Sequence, residues 1–233
     1  MKSYYRCTTA LAALALTYTL AAPARAEDWS GSYLGVNVGM QAPSFTNNWN
    51  SGNSDHQGPV NDLNDPGFLV GTTLGHNWEA DRRVFGVEAD ISGGRLANTT
   101  YYLALDGQVT NSERAELRIY ALSSIRARTG LDLGDGNMAY ASVGIGFVSA
   151  DFAASTSDTD PRSGITDLSS SVPVVGLGYQ KRLGDRVSLD ANISHYRIDK
   201  YKFVGSLGDG GTAGSEVDFG DLTTATLGFR FHL

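Results

Sequence analysis

The sequence predicts an all-β protein, an eight-stranded antiparallel up-and-down transmembrane β-barrel, and three observations carry that prediction. Eight segments alternate apolar and polar residues with period 2. The connections between them alternate strictly between short and long. The glycines within the segments fall on the polar face, as a narrow barrel interior requires.

The predicted strands run in order. Ser32 to Met40 sets Leu34, Val36, Val38 and Met40 against Tyr33, Gly35, Asn37 and Gly39, and Gly67 to Trp78 sets Phe68, Val70, Thr72 and Leu74 against Gly71, Thr73, Gly75 and Asn77. Phe85 to Ser92 alternates without a slip, with Phe85, Val87, Ala89 and Ile91 opposite Gly86, Glu88, Asp90 and Ser92. The fourth segment, Glu116 to Thr129, reads with Ile119, Ala121, Ile125 and Ala127 opposite Arg118, Tyr120, Arg126 and Arg128, although Leu122 and Ser123 break the pattern. The remaining four are Met138 to Val148, Val172 to Lys181, Val187 to Tyr196 and Thr223 to Leu233.

Three connections are short: Glu79 to Arg83, Asp132 to Asn137 and Leu183 to Arg186. Four are long and polar: Gln41 to Pro66, Gly93 to Glu113, Asp151 to Ser171, and Arg197 to about Leu222. A soluble sandwich has no reason to gather every long loop at one end. Outer-membrane barrels do so, with short periplasmic turns and longer extracellular loops. The chain carries 28 glycines in 233 residues, above the usual share of about 7%. Trp78, Tyr179, Phe229 and Phe231 stand toward the short-turn end and Phe147 toward the other, as aromatic girdles would. The apolar faces are therefore expected to meet lipid and the polar faces the barrel interior.

The first 26 residues read as a cleavable secretory signal, with Lys2 and Arg6 before an apolar run from Leu11 to Ala22 and small residues at Ala24 and Ala26. The expected organisation is signal peptide 1–26 and barrel domain 27–233. Removing Lys2, Arg6 and Arg25 from 18 basic residues leaves 15 against 25 acidic ones, a net charge of −10. So acidic a chain, without a basic patch, is not expected to bind nucleic acid. The lone cysteine, Cys7, falls in the signal, so no disulfide, thiolate metal site or cysteine nucleophile is expected.

Several stretches resemble the opacity-type outer-membrane β-barrel proteins of alphaproteobacteria, also called porin family proteins. "WSGSYLGVNVG" (Trp29 to Gly39) is similar to the family's opening, and "FGVEADISG", "IRARTGL" and "VVGLGYQKRLGDRVSLDANISHYRID" follow in the family's order. The chain departs from the family pattern at Gln180, where Glu is usual, and at Leu233, where Phe is usual. The resemblance implies an outer-membrane location with both termini in the periplasm, four surface loops, contact with outer-membrane lipid, and recognition of the last strand by barrel-assembly machinery. It implies a non-enzymatic structural or surface-antigen role.

Facing alone places Glu88, Asp90 and Asp190 in one interior with Arg126, Arg128 and Arg230, and this charge cluster is the candidate site. Matched pairs are the tolerable way to hold charges away from bulk water. Eight strands leave little spare lumen, so a filled or plugged interior is expected, with a small diffusion porin as the alternative. A lipid A-modifying enzyme is a second alternative, built on His195 with Ser170, Ser171, Glu216 and Asp218. His56, His76 and His232 show no metal-ligand spacing, and no cofactor is expected.

Overall fold

The computed structural model describes residues 28–48, 56–59, 65–104, 109–155, 164–167, 169–198 and 216–233. The predicted signal peptide lies outside them. Among the described residues ten strands form one antiparallel sheet: β1 (Gly31–Asn48), β2 (His56–Pro59), β3 (Gly67–Ala80), β4 (Arg83–Ala104), β5 (Val109–Gly134), β6 (Asn137–Ser155), β7 (Gly164–Asp167), β8 (Ser170–Arg182), β9 (Val187–Tyr196) and β10 (Glu216–His232). The order is β4-β3-β1-β10-β9-β8-β6-β5, and β4 pairing with β5 closes it into an eight-stranded barrel. The short strands β2 and β7 add to β4 and β6 at the long-loop end. Closure satisfies the sheet edges, which lipid cannot do.

The short connections are tight for an identifiable reason. Asp81 and Arg82 both have positive φ, 50° and 63°, the geometry of a two-residue turn that follows strand twist. Asp135 and Gly136, at 51° and 69°, repeat it between β5 and β6. The long connections are shorter than the sequence suggests, because the strands run on into them. β4 continues to Ala104 and β5 begins at Val109, so most of the expected loop from Gly93 to Glu113 is paired strand.

Phe85, Val87 and Ile91 are exposed on the outer face, as are Leu34, Val36, Val38, Phe68, Val70 and Leu74. Trp78, Phe147, Tyr179, Phe229 and Phe231 also point outward. One expectation fails. In β5, Ile119 is 1% exposed and Tyr120 48%, so Ile119 faces inward while Arg118 and Tyr120 leave the interior. The cause is a bulge: register shifts between Ile119 and Ala121 of β5 against β6, and between Gly93 and Leu96 of β4 against β5. One extra residue inverts the facing beyond it. The broken alternation at Leu122 and Ser123 was its trace in the sequence.

The interior is layered. At the short-turn end Trp29, Val84, Met138 and Tyr140 form a buried cluster. A charged layer follows, and beyond it polar side chains such as Asn37, Thr73, Asn192, Ser194 and Thr224. Toward the long loops the interior becomes mainly apolar, with Leu69, Leu122, Val148, Val172, Tyr196 and Leu222 buried beside Gln41 and Ser92. Eight strands enclose a space that side chains can fill, and here they fill it.

The face assignment yields a prediction. Arginine at the midplane of a lipid-facing strand costs about 2–4 kcal/mol in such barrels. Val87→Arg and Leu227→Arg should each lower the folded fraction in lipid vesicles, read by the gel shift between unheated and boiled samples. Wild-type folding of both would show the faces to be reversed.

Candidate functional site

The charged layer is built by neighbouring strands whose inward positions coincide in height. Glu88 on β4 lies opposite Arg126 on β5 in register. Asp90 and Arg128 are the next inward positions on those strands. Arg230 arrives from β10 and Asp190 from β9, across the lumen. All six charged residues predicted for the interior meet in this layer.

Glu88, 3% exposed, is the hub. Its Oε1 accepts a hydrogen bond from Arg126 at 2.8 Å, and its Oε2 accepts from Arg128 at 3.2 Å, from Tyr33 Oη at 2.7 Å, and from Arg230. Asp190 accepts from Arg230 at 3.0 Å and from the Tyr140 hydroxyl at 2.9 Å. Asp90 accepts from Arg126 at 3.1 Å and from the Ser124 hydroxyl. Three carboxylates thus face three guanidiniums. Charge-assisted bonds of this kind are the strong ones, and every carboxylate here has two or more.

The tyrosines complete the network, a role the sequence did not disclose. Tyr33 Oη donates to Glu88 and accepts from Arg128 at 2.8 Å; Tyr140 Oη donates to Asp190 and accepts from Arg230 at 3.2 Å. Arg128 also stacks 3.8 Å from the Tyr140 ring centroid, and Arg230 lies 4.8 Å from that of Tyr33. Each ring occupies space released by a glycine on the adjacent strand. A Cβ at Gly75 would fall 2.2 Å from Tyr33 Oη, and one at Gly178 would fall 2.2 Å from the Tyr140 ring. The signal was available in the pairing of inward Tyr with inward Gly, but only register shows which glycine serves which ring.

On the short-turn side the layer is capped. Trp29 is fully buried, its backbone N–H donates to Glu79 at 2.6 Å, and Arg182 lies 4.6 Å from its ring. Gln180 accepts from Arg128 at 3.2 Å and donates to Ser188, which meets His232 at 3.0 Å. Asp28, preceding the strands, is pushed up by partial burial, but the Ser30 backbone N–H and hydroxyl and the Arg182 guanidinium reverse this and hold it below the usual carboxylate range. On the long-loop side a cavity of about 30 Å³ separates the charges from the apolar layer. That is room for a few waters at most, and Asn37 Oδ1 and Arg126 Nε line it without a protein partner.

The other candidates are not assembled as the sequence suggested. His195 contacts Thr223 Oγ1 at 3.1 Å through Nδ1 and Asp221 Oδ2 at 3.2 Å through Nε2. It pairs in register with Val175, four residues from Ser171, a separation of about 13 Å along a strand. Glu216 and Asp218 lie seven and five residues from Thr223, its β10 partner. The acid beside His195 is therefore Asp221. His76 sits on the outer face against Trp78 and Ser32. Among the described residues no group of three potential ligands could hold a metal ion.

A closed barrel with an apolar outer belt and a charged, hydrogen-bonded interior defines an integral outer-membrane β-barrel protein. The chain belongs to the outer membrane protein beta-barrel domain family, whose model matches residues 9–231. The 31 kDa outer-membrane immunogenic proteins of Brucella melitensis and Brucella suis are each 28% identical to it over 133 residues, 54% of this chain and 53% of theirs. The chain thus spans about half the length of the curated relatives it matches. The crystal structure of OprG from Pseudomonas aeruginosa aligns over 88% of this chain and 97% of its own, with a TM-score of 0.55 at 14% identity, a likeness of fold. Ail of Yersinia pestis aligns over 88% of this chain and 99% of its own, with a TM-score of 0.45 at 14% identity. The protein is an outer-membrane protein, and outer-membrane lipid is its solvent.

The hub predicts an order of stabilities. Glu88→Gln strips one carboxylate from three guanidiniums and should cost about 3–5 kcal/mol, the usual penalty for breaking a buried ion pair. Asp90→Asn loses one ion pair and should cost less. Urea unfolding in vesicles followed by tryptophan fluorescence measures both, and an equal or larger loss at Asp90 would remove Glu88 from the centre.

Proposed function

We propose that the protein is a non-enzymatic structural and surface-presenting barrel whose interior is sealed against steady ion flow. The observation that carries this reading is the charged layer closed around Glu88, with the apolar layer of Leu69, Leu122, Val148, Val172, Tyr196 and Leu222 beyond it. An ion entering from the long-loop side would lose its hydration in the apolar layer before reaching fixed charges that are already paired. Open aqueous channels belong to barrels of about 16–18 strands.

The proposed orientation puts both termini and the three tight turns in the periplasm and the four longer connections outside, the arrangement usual for this architecture. The C-terminal strand, β10, is the segment we assign to barrel-assembly machinery. The immunogenic relatives fit a surface-antigen role.

A second reading has one observation in its favour. The chain Thr223, His195, Asp221 on the outer face has the connectivity of a nucleophile, base and acid, which a lipid-modifying enzyme would use. Strand pairing of β9 with β8 and β10 engages the backbone around His195, and an oxyanion hole needs free donors. The non-enzymatic reading therefore stands first, and lipid A from a deletion strain should be unchanged by mass spectrometry.

Two measurements test the leading reading. In planar bilayers the purified protein should show little steady conductance, while Arg126→Ala or Arg230→Ala should raise it and destabilise the barrel. Large, stable wild-type channels would make it a diffusion pore. Cysteines at Asn98, and at Ser54, Thr159 and Gly211 outside the described residues, should react with an impermeant reagent on intact cells. Those at Asp81, Asp135 and Asp185 should not; the reverse pattern would invert the barrel.

A further inference from the structure

Two features of the lipid-facing surface lie one beyond the other on the same strands, and neither takes part in the interior network. The first is a groove. Ala191 on β9 is flanked in register by Tyr179 of β8 and Leu227 of β10. Ala225 on β10 is flanked by Ile193 of β9 and Met40 of β1. A single methyl group between large neighbours leaves a depression, here about 570 Å³ and walled by Val38, Leu177, Tyr179, Ile193 and Leu227.

The second feature is polar and lies toward the long loops. His195 and Thr223 are the next outward residues after Ile193 and Ala225, about 13 Å along the strand from Ala191 at 3.3–3.4 Å per residue. His195 bridges Thr223 and Asp221, and Asp221 Oδ1 accepts the Ile198 backbone N–H at 3.2 Å. Arg197 is the following outward residue; it is exposed, and its backbone N–H donates to Pro173 O at 3.0 Å.

An apolar trough that leads into a cluster of hydroxyl, imidazole, carboxylate and guanidinium has the polarity profile of a single amphipathic molecule lying along the barrel. Within the bilayer the trough meets hydrocarbon, and a chain is the complement to its shape. Arg197 complements a phosphate, for which guanidinium geometry is well matched. Asp221, His195 and Thr223 supply acceptors and donors for sugar hydroxyls, which a plain phospholipid lacks. We propose that this surface is a binding site for one phosphorylated glycolipid of the outer leaflet, with an acyl chain over Ala191 and Ala225, its phosphate on Arg197, and its sugar hydroxyls on His195, Thr223 and Asp221. The assignment to the outer leaflet rests on the proposed orientation; the site chemistry does not.

Native mass spectrometry of the detergent-solubilised barrel tests it, with lipid A, dephosphorylated lipid A and phosphatidylglycerol added in turn. One equivalent of lipid A should be retained in preference to the other two. Ala191→Phe with Ala225→Phe fills the trough and should abolish retention, and Arg197→Ala should weaken it about tenfold, the equivalent of about 1.4 kcal/mol. Val143→Phe, on the outer face of β6, should leave it unchanged, and the gel shift on boiling confirms that each variant is folded. Equal retention of phosphatidylglycerol, or retention that survives filling of the trough, would overturn the site. A dimer lost on filling the trough would assign it to a second copy, and acyl release from lipid A would replace a passive site with an enzyme. Lipid A binding in detergent combined with reversed cysteine labelling in cells would fault the orientation alone.

Discussion

The interior of this barrel depends on one carboxylate shared among three guanidiniums. Glu88 draws Arg126, Arg128 and Arg230 to a single point from β5 and β10. Left without it, three cations would crowd a space that water barely enters, and Asp90 and Asp190 would each retain only one of them. A buried charge is tolerable only when paired and hydrogen-bonded. The tyrosines follow from the same constraint, because each phenol both donates to a carboxylate and accepts from an arginine, which joins the ion pairs into one network.

That network sets much of the surrounding architecture. A phenol ring spanning the lumen needs a missing side chain beside it, and Gly75 and Gly178 provide the space. The Arg128 guanidinium, stacked on Tyr140, extends to Gln180, and from there the chain of hydrogen bonds reaches Ser188 and His232 near the short-turn mouth. Trp29 then closes that mouth from the segment preceding β1. The polar chain ends against an apolar cap, so little of it is left to bulk water.

The outer surface answers to a different solvent. Membership of the outer membrane protein beta-barrel domain family places the apolar belt in lipid, where exposed Leu, Val, Ile and Phe are stabilising rather than a liability. Against this background polar outward residues stand out, and His195 bridges Thr223 and Asp221 there. The barrel thus has two separate polar systems, one facing the lumen and one on the outer face, divided by the sheet between them.

Alternation is a local property, and it was legible. Every strand of the barrel, the lipid face of β4, and the inward position of all six charges could be read from period-2 patterning, because a one-residue error would have moved a charge into lipid. Closure and register are not local. They decided that Glu88 meets Arg230, 142 positions away, and that Tyr33 rather than another ring lies over Gly75. They also decided that a bulge near Ile119 turns that residue inward, and that strands continue through stretches whose polar composition reads as loop. The apolar layer at the long-loop end was hidden for the same reason: its residues lie on six different strands, and only the curvature that closes the sheet brings their inward faces together.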